Sequence, residues 1–354
     1  MRVHMVLPFL AGQGGTETWL RTIDRELTAR GHELHHLIPT PSVRNPDWDL
    51  PLRPRLTYLG LESEDSAAVR AALERAFAHL PPPDAVVAAW HPWPPAVRAA
   101  MAAQGWRAPV VSWLHLSPSR HRAAYALRAA DAHLCLCRAM QAEMATIDPG
   151  KPAEVVGNPV EGMPFPPLPR PSHPTFVYVG RLERRQKRVD RLLRAVARLD
   201  PGSVRLRLVG GGPPAEVRAL RALATRLGLE PWIEWVPFRP DPWSAVPAAT
   251  ALVLASDYEG FPYALLEALA RGVPVVAMDC PTGPAEIVRP GENGWLVPAG
   301  DERALAAILK AVASGREPLP PATACQASVA AYAAPRVAAR VEAALARWTA
   351  RTAA

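Results

Sequence analysis

The sequence predicts an α/β protein in which one architecture occurs twice, as two Rossmann-like domains in succession. Three observations carry that expectation. Along most of the 354 residues, apolar strand-like runs alternate with amphipathic helical ones, the order that builds a parallel sheet with helices on both faces. The alternation halts at 158–174, "NPVEGMPFPPLPRPSHP", and then restarts; so much proline fits a semi-rigid linker and no packed element. Length suggests two domains of ordinary size, and 49 % apolar residues can fill two cores.

The elements follow in order. "VHMVL" at 3–7 reads as the first strand. A helix over 16–30 comes next, with Trp19, Ile23 and Leu27 recurring every four residues and Gly31 ending the pattern. "ELHHLI", "DAVVAAW", "APVVSWL" and "AHLCLC" are further strands of the first half, each followed by a helical or loop segment. In the second half "TFVYVG", "VRLRLVG", "WIEWV", "ALVLA" and "VPVVAM" read as strands. A helix over 189–199 places Val189, Leu192, Leu193 and Val196 on one face, and others fall at 214–227, 263–271 and 301–314. A last helix, about 332–348, carries Val337, Val341, Ala344 and Leu345 in one stripe. The expected domains are 1–164 and 165–331, with 332–354 a closing helix that returns to the first domain. Such sheets bind ligands at the carboxyl ends of their strands, and with two domains the cleft between them is the natural site.

Charge is unevenly spread. The net charge is +7, from 40 Lys and Arg against 33 Asp and Glu. Residues 1–164 hold 16 of each, which leaves 24 and 17 in the second half. That excess fits an anionic ligand there. No zinc-finger spacing, repeat or aromatic-interleaved basic patch occurs, which argues against nucleic acid as a partner. The N-terminus shows no charged-then-apolar leader and no apolar run reaches 18 residues, so the expectation is a cytoplasmic protein without a membrane span. Four cysteines suggest a reducing compartment, and Cys135 and Cys137, at strand spacing, read as buried thiols.

Several motifs stand where ligand chemistry would be. "FLAGQGGTETW" at 9–19 joins the first strand to the first helix; Gly14 and Gly15 would let a ligand approach the backbone and the helix N-terminus. The spacing is not G-x-G-x-x-G, and no acidic residue is placed for a nicotinamide ribose, which argues against a dehydrogenase. "VGRLERRQKRVDRLL" at 179–193 sets Arg181 directly after a strand and Lys187 before a helix, two cations suited to a diphosphate. "LVGGGPP" at 208–214 is a second glycine turn after a strand. His115 ends the strand in "SWLHLSPSRH", while His35, His36 and His121 look like surface or loop residues. Finally, "DYEGFPYALLEALARG" at 257–272 places Glu259 after the strand "ATALVLAS" and Glu267 about a turn into the next helix. Two carboxylates can serve acid/base chemistry, a metal or hydroxyl binding. Their separation favours two parts of one extended ligand. Asp257 and Glu259 also imitate the D-x-D of metal-dependent sugar-nucleotide enzymes, but no further ligand set completes an oxygen site.

Together these pieces resemble the family 4 retaining glycosyltransferases, whose fold is GT-B: two Rossmann-like domains facing each other across a cleft. Typical members act in lipopolysaccharide-core and exopolysaccharide synthesis. The resemblance covers nearly the whole chain. It rests on Gly14 and Gly15, "GNPV" at 157–160, Gly180 with Arg181 and Lys187, "LVGGG", "VPF" at 236–238, "EGFP…LLEALARGVPVVA", and "CPTGPAEIVRPGENGWLV" at 280–297. It implies that Arg181 and Lys187 clamp a nucleotide diphosphate, that Glu267 accepts hydrogen bonds from the ribose, and that Glu259 contacts the donor sugar. Backbone N–H groups of Phe261, Tyr263 and Ala264 would approach the sugar or phosphate. Groups near Pro237 and Phe238 would hold the base, Gly180, Gly210 and Gly260 would line the donor site, and His115 would sit beside donor sugar and acceptor. Two departures concern geometry. Pro262 stands where many relatives have glycine and cannot donate a hydrogen bond, and Arg188 follows Lys187 where glycine is common.

The implied activity is a retaining, metal-independent transfer of a hexose from a nucleotide sugar, a UDP-sugar by family habit, to a glycan or lipid-linked acceptor hydroxyl. No cofactor is implied. A nucleotide-sugar 2-epimerase or hydrolase on the same fold is the alternative, and a non-enzymatic sensor would be expected to lose Glu259 or the Arg181/Lys187 pair. Lipid-linked acceptors imply peripheral contact with the inner face of the membrane. A basic amphipathic helix is the usual device, and 117–133 offers Arg120, Arg122 and Arg128 with Tyr125 and Leu127.

Overall fold

The computed structural model describes residues 1–12, 14–41 and 47–353. Gln13, within the first glycine turn, and residues 42–46 and 354 lie outside the described residues. The chain divides into two compact units, 1–161 with 332–354, and 162–331.

The first unit is built on a seven-stranded sheet: β1 (Arg2–Val6), β2 (Glu33–Ile38), β3 (Leu56–Tyr58), β4 (Ala85–Ala88), β5 (Val110–Leu114), β6 (Ala132–Cys135) and β7 (Ala153–Val155). All pairings are parallel, in the order β3-β2-β1-β4-β5-β6-β7. Helices α1 (Gly15–Ala29), α2 (Ser66–Phe77), α3 (Pro94–Ala103) and α4 (Arg138–Ile147) supply crossovers. Strands covered on both faces read as continuous apolar runs, and β4 and β5 are buried throughout. On α1 the four-residue spacing has its cause in packing, since Trp19, Ile23 and Leu27 are all buried.

The second unit repeats the plan with β8 (Thr175–Val179), β9 (Arg205–Val209), β10 (Ile233–Val236), β11 (Ala251–Leu254), β12 (Val275–Asp279) and β13 (Gly294–Pro298). They pair in parallel as β10-β9-β8-β11-β12-β13. Its helices are α5 (Val189–Val196), α6 (Pro214–Arg226), α7 (Tyr263–Ala270), α8 (Pro284–Ile287), α9 (Glu302–Ala313) and α10 (Ala322–Val329). In each unit the strand order reverses beside the first strand, between β1 and β4 and between β8 and β11. That reversal opens a crevice at the strands' carboxyl ends.

The last helix, α11 (Ala334–Ala353), belongs to the first unit. Val337, Val341, Ala344 and Leu345 are buried on it. Glu342 binds Arg30 at 3.1 Å and His32 at 3.0 Å, which fixes α11 beside the end of α1.

Three expectations need correction. The proline-rich stretch forms neither helix nor strand, yet it is no free linker: most of it is strapped onto the second unit. Leu168 N–H donates to Arg271 O at 2.9 Å, Ala249 N–H to Pro169 O at 3.1 Å, and the Gln326 amide to Phe165 O at 2.8 Å. Proline removes donors from the segment but leaves its carbonyls to accept. Residues 117–133 form no amphipathic helix either. They hold two short 3-10 turns, Pro118–Arg120 and Ala124–Ala129, with Leu127 buried and Tyr125 exposed. His36 is buried on β2, its Nε2 at 2.7 Å from Asp24. All four cysteines are buried.

Candidate active site

The turns that follow β8 and β9 press against each other. Gly180 and Gly210 both take φ of 152°. A Cβ on Gly210 would lie 1.9 Å from Gly180 O, so no side chain fits there. Leu182 N–H donates to Gly211 O at 2.8 Å and Gly180 N–H to Val209 O at 3.0 Å, tying the turns into one floor. Pro237 and Phe238 follow β10, and Phe238 Cβ lies 3.3 Å from where a Cβ on Gly211 would be. Its ring is partly exposed.

Lys187 and Glu259 meet at the β8/β11 reversal. Lys187 Nζ donates to Glu259 Oε1 at 2.7 Å and Oε2 at 2.9 Å, and Ser256 Oγ donates to Oε1 at 2.6 Å. Glu259 is 4 % exposed, and Thr282 Oγ1 binds its carbonyl. The carboxylate is oriented by these three hydrogen bonds. Gln186 connects the two strand ends: its carbonyl accepts from Asp257 N–H at 2.9 Å and its amide donates to Tyr258 O at 3.1 Å. It also accepts from Arg181 Nη2 at 2.8 Å. Asp257 has Arg188 at 2.8 Å and Arg191 at 2.7 Å, so this carboxylate of the D-x-E sequence is already paired with guanidinium groups, as Glu259 is with an ammonium.

Glu267 stands elsewhere, on α7, with its own partners. Trp243 Nε1 donates to its Oε2 at 2.9 Å. Burial pushes its carboxyl above the usual value, against the pull of Trp243 and Arg271. The Tyr263 hydroxyl is buried without a hydrogen-bond partner among the described residues, and burial followed by the Glu267 charge raises its pKa well above the usual value. Pro262 is the residue before α7, with φ −68°. It packs where a Cβ on Gly283 would fall, 2.9 Å from that position, and Gly260 O lies 2.5 Å from it. Gly283, at φ 88°, is therefore what lets the turn 260–262 lie flat on the next loop. The first N–H groups of α7, at Tyr263 and Ala264, face out of the helix end as in any helix.

In the first unit, Gly14 is the extended residue before α1 and Gly15 opens it. Glu17, three residues past Gly14, folds back over the turn. Its Oε1 accepts from Gly12 N–H at 2.7 Å, and its Oε2 lies 3.0 Å from a Cβ built on Gly14. A carboxylate thus already stands at the helix start where a ligand would approach, in a variant of the capping box. His115 directly follows β5. Its ring meets Trp19 edge-on at 4.2 Å between centroids and stacks on Trp113 at 6.3 Å. Nε2 is buried without a partner among the described residues, and burial pushes the ring's pKa down to about 3. The imidazole is therefore neutral near pH 7.

Within the second unit Lys187 and Glu259 touch directly, Arg181 is linked to them through Gln186, Gly180 and Gly210 press against each other, and Glu267 stands apart on α7, four residues from Tyr263. Trp243, Gln186, Ser256 and Glu17 were missed by sequence reasoning. Only Glu17 had a readable signal, its position three residues after the residue preceding the helix.

The fold is that of known enzymes. The apo form of the lipopolysaccharide outer core galactosyltransferase WaaB superposes with a TM-score of 0.82 at 25 % identity, covering 98 % of this chain and 99 % of WaaB. Sucrose-phosphate synthase from Thermosynechococcus elongatus reaches 0.81 at 19 % identity over 99 % and 100 %. Residues 13–161 match the family model described as Glycosyltransferase Family 4, and residues 173–314 that of Glycosyl transferases group 1. The chain belongs to the family 4 glycosyltransferases of GT-B fold. Among curated proteins, lipopolysaccharide 1,6-galactosyltransferases are similar to it. The Salmonella typhimurium protein is 35 % identical over 54 % of this chain and 55 % of its own length, and the Escherichia coli protein 33 % identical over 58 % and 59 %. The match thus spans little more than half the length of these relatives. A further GT-B neighbour, Anabaena HepE, was solved in complex with UDP-glucose; it superposes at 0.77 with 21 % identity over 98 % of this chain and 100 % of its own.

Proposed function

We propose that the protein is a retaining glycosyltransferase that moves a hexose from a UDP-sugar to a glycan or lipid-linked acceptor hydroxyl in cell-envelope polysaccharide or lipopolysaccharide synthesis, in the cytoplasm and without a metal ion. The observation that carries it is the Lys187–Glu259 pair at the strand-order reversal of the second unit. The ammonium has three donors, and two point at Glu259. The third is left for a donor phosphate. Arg181, with its side chain 53 % exposed, adds a second cation. Breaking the anomeric bond puts negative charge on the leaving diphosphate, and cations fixed beforehand favour that separation. The acceptor hydroxyl passes its proton toward the leaving phosphate. Glu259 orients and polarises the sugar. An oxygen already engaged by Ser256 and Lys187 is poorly disposed to act as a covalent nucleophile. Glu267 binds the ribose and Phe238 borders the base. Support for the donor comes from HepE, and for the acceptor class from the galactosyltransferase relatives.

The test is UDP-galactose or UDP-glucose with deep-rough lipopolysaccharide as acceptor, in EDTA, with the product anomer read by NMR. Retention of configuration and activity in EDTA are expected. UDP release or epimer formation at the same rate without acceptor would instead point to the hydrolase or epimerase. Glu259→Gln should keep the fold and lower kcat by about 100-fold or more, the scale of losing one preorganised electrostatic group. Full activity in that variant would remove Glu259 from the mechanism.

A further inference from the structure

We propose that Trp243 is a positioning residue for the donor: its indole N–H locks Glu267 so that one carboxylate oxygen stands ready for the ribose hydroxyls. This rests on Glu267 binding the ribose, as proposed above.

Trp243 is 6 % exposed, in a 3-10 turn spanning Pro242–Ala245. Two contacts fix it. Asp241 Oδ1 accepts from its backbone N–H at 3.0 Å. The Arg271 guanidinium stacks over its ring, 4.9 Å from the centroid, with the Phe165 ring 3.9 Å from the same guanidinium. Arg271 Nη1 in turn donates to the carbonyl of Glu267 at 3.1 Å. The indole is thereby tied to the turn at one end and to α7 at the other. Its N–H points at Glu267 Oε2, 2.9 Å away.

The consequence for Glu267 is asymmetry. Oε2 is held, while Oε1 has no hydrogen-bond partner among the described residues. A glutamate side chain loses much rotamer freedom when it is fixed. Here folding imposes that loss before any ligand arrives, which strengthens binding by preorganisation. Without the indole donor the carboxylate is free to swing toward the Arg271 cation, whose charge already acts on it.

Isothermal titration with UDP and with 2′,3′-dideoxy-UDP tests this, because their affinity ratio isolates the ribose hydroxyls. The wild type should prefer UDP. Trp243→Phe, which keeps an aromatic face for Arg271, should lower that preference roughly tenfold, the scale of one hydrogen bond to a charged group. Should Trp243→Phe fail to fold, 3-benzothienylalanine at 243 keeps the shape of indole without its N–H, and the same loss is expected. An unchanged preference in either folded variant overturns the positioning role alone. A wild type that binds UDP and the dideoxy compound equally overturns the ribose role of Glu267 itself.

Discussion

Arg188 takes φ 49° and ψ 44°, the left-handed conformation that glycine adopts freely. Holding it there costs an arginine about 1–2 kcal/mol. Its guanidinium binds Asp257 at 2.8 Å and Asp190 at 3.2 Å, which offsets the strain and keeps the Lys187 loop against the Glu259 turn. The loop geometry that the missing glycine threw into doubt is therefore retained by ion pairing, a remedy visible only once residues about 70 apart in sequence are neighbours. Glu267 shows the opposite balance. Its folded-state carboxyl holds the proton to a higher pH than the ordinary 4.5. The folded state then binds more protons than the unfolded chain across that window, so raising pH through it lowers stability. Glu267→Gln, which still accepts from Trp243, should match the wild type in Tm near pH 4 and exceed it at pH 7.5, while losing nucleotide affinity. Thermal melts at both pH values check the first expectation and titration with UDP the second; a Tm at pH 7.5 below wild type would show that the charge stabilises the fold.

At the scale of elements, glycine turns and helix starts decide where the site lies. "LVGGG" is a weak motif on its own, because glycines follow strands for many reasons. In the fold Gly210 cannot carry a side chain, since its Cβ would meet Gly180 O. Gly210→Ala should push the β8 and β9 turns apart, moving Arg181 and weakening UDP binding by about tenfold or more, with a stability loss of roughly 1–3 kcal/mol. Denaturant unfolding and UDP titration read the two effects, and unaltered UDP affinity would take this floor out of the site. The longer strands and helices α1, α5, α6, α7, α9 and α11 were legible from their periods, whereas α2, α3 and α4 were not told apart from loops. The short or atypical strands were not legible either: β3 has three residues, β7 three, and β13 begins with glycine. Residues 117–133 hold the basic and apolar residues of an amphipathic helix, yet Leu127 is buried and the segment forms two short 3-10 turns. Among the described residues no helix is long and apolar enough to cross a membrane.

Over the whole molecule, buried histidines make the fold sensitive to acid, His35 and His133 being lowered by burial in the same direction as three others. Burial pushes His4 and His91 down to about 4 and His115 to about 3, from 6.5. The unfolded chain binds protons on them that the folded chain refuses, so stability present above pH 6.5 is lost as pH falls toward 4. Tm should drop between pH 7 and pH 4.5. His4→Leu, at a fully buried position where neither ring nitrogen has a partner among the described residues, should flatten that fall, by up to about 3 kcal/mol at the acid end. An equally steep fall in His4→Leu would remove His4 from the acid response. Sequence by itself determined the α/β class, the repeat of one architecture and the order of the motifs, because hydrophobic period and glycine placement are local properties of the chain. It also put Glu259 and Lys187 after strands. Only the tertiary structure decided that those strands, β11 and β8, are neighbours at the reversal of strand order, that Lys187 and Glu259 touch, and that Trp243 reaches Glu267. Strand order and side-chain contact are set by how non-local surfaces pack, and no short window of sequence contains both partners.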